Sequence, residues 1–328
     1  MLWALALDAV AGQSAETIRR SQPVMGTFVT VTLHGSNHAL LEQAATAAFE
    51  EFHDVDLRMS LHRPDSELNY VNATASHQPV PISTDLFGVI AASLEIAQRT
   101  DGAFDITTAP LSQVWGFTWK NGRWPSKAQV RTALASVDYR WIQLDPTNHS
   151  IRFLKPGVKI DLGGIAKGYA VDRAIARLRS LGISNAMVKA GGDLRVIGTP
   201  PDGESWEIWL EDPRKQGLRD PIQLRKGALS TSGNYENFFM RHGRRYGHIL
   251  DPHSGWPVHG IADCTVTAPT SMEADAMATA CYVLGSQKSL SRFGKRLGIR
   301  FRFTENISFR CSAASDRSAL FPKSSRHN

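Results

Sequence analysis

A chain of 328 residues with 42% hydrophobic and 21% charged residues has the composition of a folded protein and the length of one large domain or two ordinary ones, which excludes a disordered chain. The formal net charge of +6 is spread along the sequence, and the basic clusters "RHGRR" and "KRLGIRFR" are too short for a nucleic-acid stripe, so they read as solvated faces. The excess favours an anionic ligand.

The N-terminal "MLWALALDAVAGQSAE" is apolar and contains Ala9-x-Ala11, which resembles a signal-peptidase site, but Asp8 interrupts the apolar run and no basic segment precedes it. We read 1–22 as a leader or signal remnant, 23–310 as one folded domain and the Ser-rich 311–328 as a loose tail. No run of 18 apolar residues is present to span a membrane. "FVTVTLHG" alternates as a strand over Phe28 to His34. "HALLEQAATAAFEEFHDVD" predicts an amphipathic helix with Leu41, Ala44, Ala45, Ala48, Phe49 and Phe52 on one side. "STDLFGVIAASLEIAQRTDG" predicts another, capped by Thr84 and stopped at Gly102, and "SKAQVRTALASV" a third. "WIQLD" and "SIRFLK" read as a hairpin around "PTNH". "VKIDLGG" reads as a strand running into the helix "IAKGYAVDRAIARLRSLG", and "NAMVKAGGDLRVIG" as strand, turn, strand. "WEIWLED" and "PIQLRKG" are further strands. The mixture has no regular βα repeat, which favours an α+β fold over a doubly wound sheet. "PTSMEADAMATACYVLG" is a helix from Met272 with Ser271 as cap. Three cysteines, Cys264, Cys281 and Cys311, form neither a disulfide framework nor a metal-binding spacing, and Cys281 reads as core.

Four stretches carry candidate chemistry. Asp275 and Thr279 stand four residues apart, so a helix presents a carboxylate and a hydroxyl on one face. Such hard oxygens suit Mg²⁺, and they equally suit local capping and a back-bond to the preceding turn. "KIDLGGIAKGYAVD" places Asp161 and two glycines before a helix start, with Lys167 in the first turn. A helix N-terminus of this kind can receive a phosphate, although neither the P-loop nor the G-x-G-x-x-G order is present. In "TDGAFDITTAP", Asp101-Gly102 is a turn and Asp105 follows in an extended segment, where backbone amides and a carboxylate can read a base or ring edge, or the segment is a helix stop and a surface turn. "STSGNYENFF" and "RYGHILDPHSGWPV" supply Ser230, Thr231, Ser232, His248 and Asp251, without the G-x-S-x-G of a hydrolase elbow. His248 is a candidate general base, because imidazole titrates near working pH.

In order, "MGTFVTVTLHG", "MSLHRPDSELNYVN", "TDGAFDITTAPL", "KIDLGGIAKGYAVD", "NAMVKAGGDLRVIG", "STSGNYENFF", "HILDPHSGWPV" and "APTSMEADAMATACYVLG" resemble the FAD:protein FMN transferases, the ApbE-like flavin transferases. The resemblance runs over roughly residues 23–300 and implies a T-fold-like α+β architecture with mixed and antiparallel sheets, packed helices and the active site in a cleft. It implies Mg²⁺ as cofactor and FAD as substrate. FMN passes to a Ser or Thr hydroxyl of an acceptor flavoprotein, such as a membrane redox-complex subunit, and AMP leaves. Residue by residue, Asp275, Thr279 and the backbone oxygen of Gly164 match the family's Mg²⁺ ligands. Met25, His62, Ala103, Phe104, Asp105, Asp161, Lys167 and Ile249 match positions that contact FAD, and His248 matches the base. His62 stands where family members often carry a large aromatic residue, and Ala278 where some carry a second acid. The same site would serve a Mg²⁺-dependent FAD pyrophosphatase, with water in place of the acceptor. A flavin-binding protein without turnover is a further alternative, against which the Asp275, Thr279 and His248 set argues. The resemblance places the protein in the periplasm or cell envelope, with a cytoplasmic location open because the leader is incomplete and has no lipobox cysteine.

Overall fold

The alternating segment after the leader is half of a hairpin. In the computed structural model, strand β1 (Glu16–Val24) and strand β2 (Thr27–Gly35) pair antiparallel from Glu16↔Gly35 to Val24↔Thr27. Residues 16–22, assigned to the leader from sequence, therefore belong to the edge strand of the main sheet. The boundary was missed because only Ile18 and Val24 of β1 are buried, which leaves the polar surface of a half-solvated edge. The structure describes residues 16–213, 217–219, 221–294 and 299–305, so the rest of the expected leader, the expected tail 311–328 and Cys311 lie outside the described residues.

Five further strands complete the sheet: β3 (Asn185–Ala190), β4 (Asp193–Ile197), β5 (Gly227–Gly233), β6 (Ile261–Ala268) and β7 (Arg300–Glu305). They lie side by side in chain order, each antiparallel to its neighbour. The long excursion between β2 and β3 carries helices α1 (His38–Met59), α2 (Thr84–Thr100) and α3 (Ala166–Ser180), and α4 (Ser271–Phe293) follows β6. Helix α1 packs on β1 and β2, α3 on β3 and β4, and α4 on β5 and β6, so the helices tile one face in the order of the strands. On the opposite face, Leu194, Val196 and Leu229 pack against Trp206, Ile208, Ile222 and Leu224 of a small two-stranded sheet. Strand β6 is buried at every residue. This is the expected α+β architecture, built on antiparallel pairing.

Local chemistry explains most of the element boundaries. All six apolar residues expected on the inner face of α1 are buried, and Asn37 caps the helix by accepting from Leu40 N. The caps of α2 and α4 sit one residue earlier than the sequence suggested. Ser83 accepts from Leu86 N and Thr270 from Glu273 N, because these residues hold extended backbone while Thr84 and Ser271 are already helical. Helix α2 ends with Asp101 in the left-handed region at φ 60°, one residue before Gly102. The hairpin 142–153 forms as expected. The strand expected at "VKIDLGG" does not form. The Asn72 amide clasps Ile160 from both sides, at 2.8 Å to its N and 2.9 Å to its O, and Asp161 N donates to Ile106 O at 2.7 Å. Its backbone bonds go to a side chain and to the short 3-10 turn at Ile106–Thr108, so it joins no ladder. Among the described residues, no helix is long and apolar enough to cross a membrane.

Candidate active site

The site begins at the crossing of α3 and α4. A Cβ built on Gly168 would lie 2.3 Å from the carbonyl oxygen of Ser271, so only glycine permits this approach. The contact lets Gly168 N donate to Asp275 Oδ2 at 3.1 Å. One turn on, Asp172 accepts from Ser271 N and Met272 N, each at 2.9 Å, and from Arg195 Nη1 of β4 at 2.6 Å. Asp172 thus satisfies two of the unpaired N–H groups that open α4 and places negative charge at its positive end. The segment "AKGYAVD" is a helix-crossing device that aims Asp275 into a cleft.

That cleft has a volume of about 200 Å³ and is lined by Ala103, Phe104, Asp105, Asp161, Gly164, Lys167, His248, Ile249, Asp275 and Thr279 from the sequence reading. Asp193, Thr231, Ser232 and Glu236 also line it. Met25 and His62 are not in the lining. Met25 takes a left-handed conformation at φ 53° in the β1–β2 turn, beside the Gly191–Gly192 turn, whose Gly191 N donates to Phe28 O at 3.2 Å. His62 is exposed and packs edge-on against Trp119 with 5.5 Å between ring centroids.

Asp275 is buried at 3% exposure. Lys167 Nζ lies 3.5 Å from Asp275 Oδ2, 3.1 Å from Asp193 Oδ2 and 3.0 Å from the Gly163 carbonyl it donates to. Burial, followed by the Asp193 charge, pushes the Asp275 carboxyl up to about 7, with Lys167 opposing. Burial works against the Lys167 charge, yet Asp193 and Asp275 outweigh it and hold the ammonium above its ordinary range. Thr279 follows one turn along α4, with its Oγ1 3.3 Å from Ser232 Oγ. A Cβ on Gly164 would stand 3.3 Å from both Thr279 Oγ1 and the Phe104 ring, so this turn abuts the hydroxyl. Asp275 bonds to Gly168 and Lys167 on α3, and Thr279 to Ser232 on β5, so both side chains reach across the cleft. A carboxylate, a hydroxyl and a backbone turn, with a second buried carboxylate beside them, form a hard-oxygen set that fits Mg²⁺.

Across the cavity, the Asn237 carbonyl fixes His248. It accepts from His248 N at 2.9 Å and lies 3.2 Å from Nδ1. A carbonyl only accepts, so the neutral ring carries its proton on Nδ1 and keeps a lone pair on Nε2. Burial above all, opposed by the Asn237 bond and joined by the charges of Lys167 and Lys120, lowers this ring to about 4, which favours the neutral form at ordinary pH. Asp105 is largely spent on structure. Its Oδ1 accepts from Thr107 N at 2.7 Å and Thr107 Oγ1 at 2.6 Å, and its Oδ2 from Tyr139 N at 2.9 Å. Burial pushes its carboxyl up, as it does that of Asp161, which accepts from Gly163 N at 2.8 Å. No serine triad assembles: Ser230 donates to Asp193, and Asp251 accepts from His253 N and Ser254 Oγ. Sequence reasoning missed Asp193 and Glu236. The signal for Asp193 was an acid at the first position of a strand after a Gly-Gly turn.

The ApbE family model matches residues 25–302, which includes every segment that lines the cleft. The chain is 35% identical over 299 residues to the FAD:protein FMN transferase of Haemophilus influenzae, covering 88% of this chain and 86% of that protein. The crystal structure of the ApbE protein of Thermotoga maritima superposes with a TM-score of 0.83 at 34% identity, over 88% of this chain and 94% of that one. The apo flavinyl transferase ApbE of Pseudomonas stutzeri gives 0.80 at 32% identity, over 89% and 92%.

The chain belongs to the ApbE family.

The ApbE match starts at Met25, so the β1–β2 turn falls within the shared region although Met25 lies outside the cleft lining. Most of β1 precedes the match and still completes the edge of the ApbE sheet.

Proposed function

We propose that this protein transfers the FMN half of FAD to a Ser or Thr hydroxyl of an acceptor protein, with Mg²⁺, forming a phosphoester and releasing AMP. Relatives named FAD:protein FMN transferase support the activity. The observation that carries it is one cleft with oxygen donors and an ammonium on one side and the lone-pair nitrogen of His248 on another. Asp275, Thr279 and Gly164 would hold Mg²⁺, which neutralises and aligns a diphosphate when bound. Lys167 faces the same charge from the first turn of α3 and stabilises it as it develops. His248 Nε2 accepts the proton of the acceptor hydroxyl, whose oxygen bonds to the FMN phosphorus. The phosphorus–oxygen bond to AMP breaks, and AMP leaves as an anion that needs no proton. The acid-free form of His248 at neutral pH suits that role.

The test is incubation with FAD, Mg²⁺ and an acceptor domain carrying a Ser or Thr site, followed by mass spectrometry of the acceptor. Covalent FMN on the hydroxyl residue is the expected product. FMN and AMP released in solution, with the acceptor unmodified, would replace transfer by hydrolysis.

A further inference from the structure

Asp193 has no part in the reaction proposed above, yet it is buried in the cleft and held in place by the sheet. It opens β4 directly after the Gly191–Gly192 turn and pairs with Ala190 on β3 and Ser230 on β5. A Cβ on Gly192 would lie 2.7 Å from the Thr231 carbonyl oxygen, so the turn is pressed against β5. The residue is 1% exposed, and Ser230 Oγ donates to its Oδ1 at 2.5 Å. Its Oδ2 has no hydrogen-bond partner among the described residues. That oxygen instead stands 3.1 Å from Lys167 Nζ, an ion pair without hydrogen-bond alignment, and it lines the cleft.

Lys167 differs in kind. Its ammonium rides on a flexible four-carbon stem and lies between two anions, nearer Asp193 at 3.1 Å than Asp275 at 3.5 Å. With Asp193 absent, Asp275 is the one carboxylate among the described residues left within ion-pair reach of that ammonium. The long 3.5 Å bond from Lys167 Nζ to Asp275 Oδ2 would then tighten, and a divalent cation would have to break the closer pair.

We infer that Asp193 is a positioning residue that draws the Lys167 ammonium off Asp275, keeping that carboxylate open to Mg²⁺ and the ammonium free to face a diphosphate. The inference rests on the proposed reading of Asp275 as a Mg²⁺ ligand. It differs from a direct role in metal ligation, because Asp193 here acts through Lys167.

The experiment measures Mg²⁺ affinity by calorimetry and by the Mg²⁺-dependent rise in melting temperature, on the full chain without FAD. Asp193→Asn keeps the shape and removes the charge, and Mg²⁺ binding should weaken about tenfold or more. Ser230→Ala, which frees Oδ1 without touching the charge, should move affinity in the same direction by less. The deciding variant is Lys167→Met combined with Asp193→Asn: with no ammonium to capture Asp275, Mg²⁺ affinity should return to the parental value or above. Asp193→Asn with parental affinity would overturn the inference. Loss that Lys167→Met fails to rescue would also overturn it, since Asp193 would then act on the cation directly. A parental chain that binds no Mg²⁺ would remove the metal reading itself, and the inference with it, a result distinct from either of these.

Discussion

Replacing Gly168 by Ala sets two effects against each other. In an unconstrained helix interior the change stabilises by about 1 kcal/mol. Here the added Cβ would meet Ser271 O at 2.3 Å, Ser271 C at 2.6 Å and Met272 Cα at 2.8 Å. All three are backbone atoms, so no side chain can rotate aside, and α3 and α4 must part by about 1 Å to restore ordinary contact. Overpacking of this kind costs about 1–3 kcal/mol. Parting the helices also stretches the 3.1 Å bond from Gly168 N to Asp275, and a hydrogen bond to a charged group is worth about 1.5–3 kcal/mol. The opposing terms leave a net destabilisation of about 2–5 kcal/mol, or about 3–7 °C in melting temperature for a chain of this size. Gly88 in α2 is the control: nothing stands within 4 Å of its Cβ, so Gly88→Ala should raise stability by about 0.5–1 kcal/mol. Thermal melts of both variants decide the matter. A Gly168→Ala protein that melts at or above the parent would refute the close-crossing argument.

His248→Ala should keep FAD affinity and lose transfer by about 10²–10⁴-fold, measured as flavin on the acceptor. Only the neutral ring accepts a proton, and burial holds that form down to about pH 4, so the ascending limb of kcat/KM against pH should lie near 4; a limb near 6.5 would show that burial has been overstated. Asp275→Ala should fold and show no Mg²⁺-dependent rise in melting temperature, and a normal rise would dismiss the metal assignment. Arg219→Met should destabilise by about 3–5 kcal/mol in denaturant melts, because it strands the fully buried Asp263 carboxylate that Arg219 now pairs at 2.9 Å. Unchanged stability in that variant would mean that Asp263 is neutralised by protonation.

What the sequence showed and what it hid follow from the range of the interactions. The apolar stripe of α1, the hairpin at 142–153 and the turn "AGG" are local patterns, and each formed where expected. The i, i+4 spacing of Asp275 and Thr279 is also local, so their shared direction could be read before the fold was known. "VKIDLGG" misled because its partner is the side chain of Asn72, 88 residues away, and no periodicity encodes such a clasp. Asp193 stayed hidden for the same reason: its importance lies in Lys167 and Ser230, which reach it from α3 and β5. His248 was found as a candidate base, but its titration range was not legible, since burial and two lysines lower its pKa in ways that the motif does not reveal.

The order of the strands in space has a consequence for synthesis. Because β1 to β7 lie side by side in the order in which they are translated, each strand after the first can add to an edge that already exists, and none has to be threaded between two others. Growth of the sheet is vectorial. The cleft is completed last, for Lys167, Asp193 and His248 all leave the ribosome before α4 brings in Asp275 and Thr279. A nascent chain stalled before residue 275 would carry Lys167 and His248 without the Asp275 carboxylate and the Thr279 hydroxyl, so an assembled cleft marks a molecule whose translation has passed that helix.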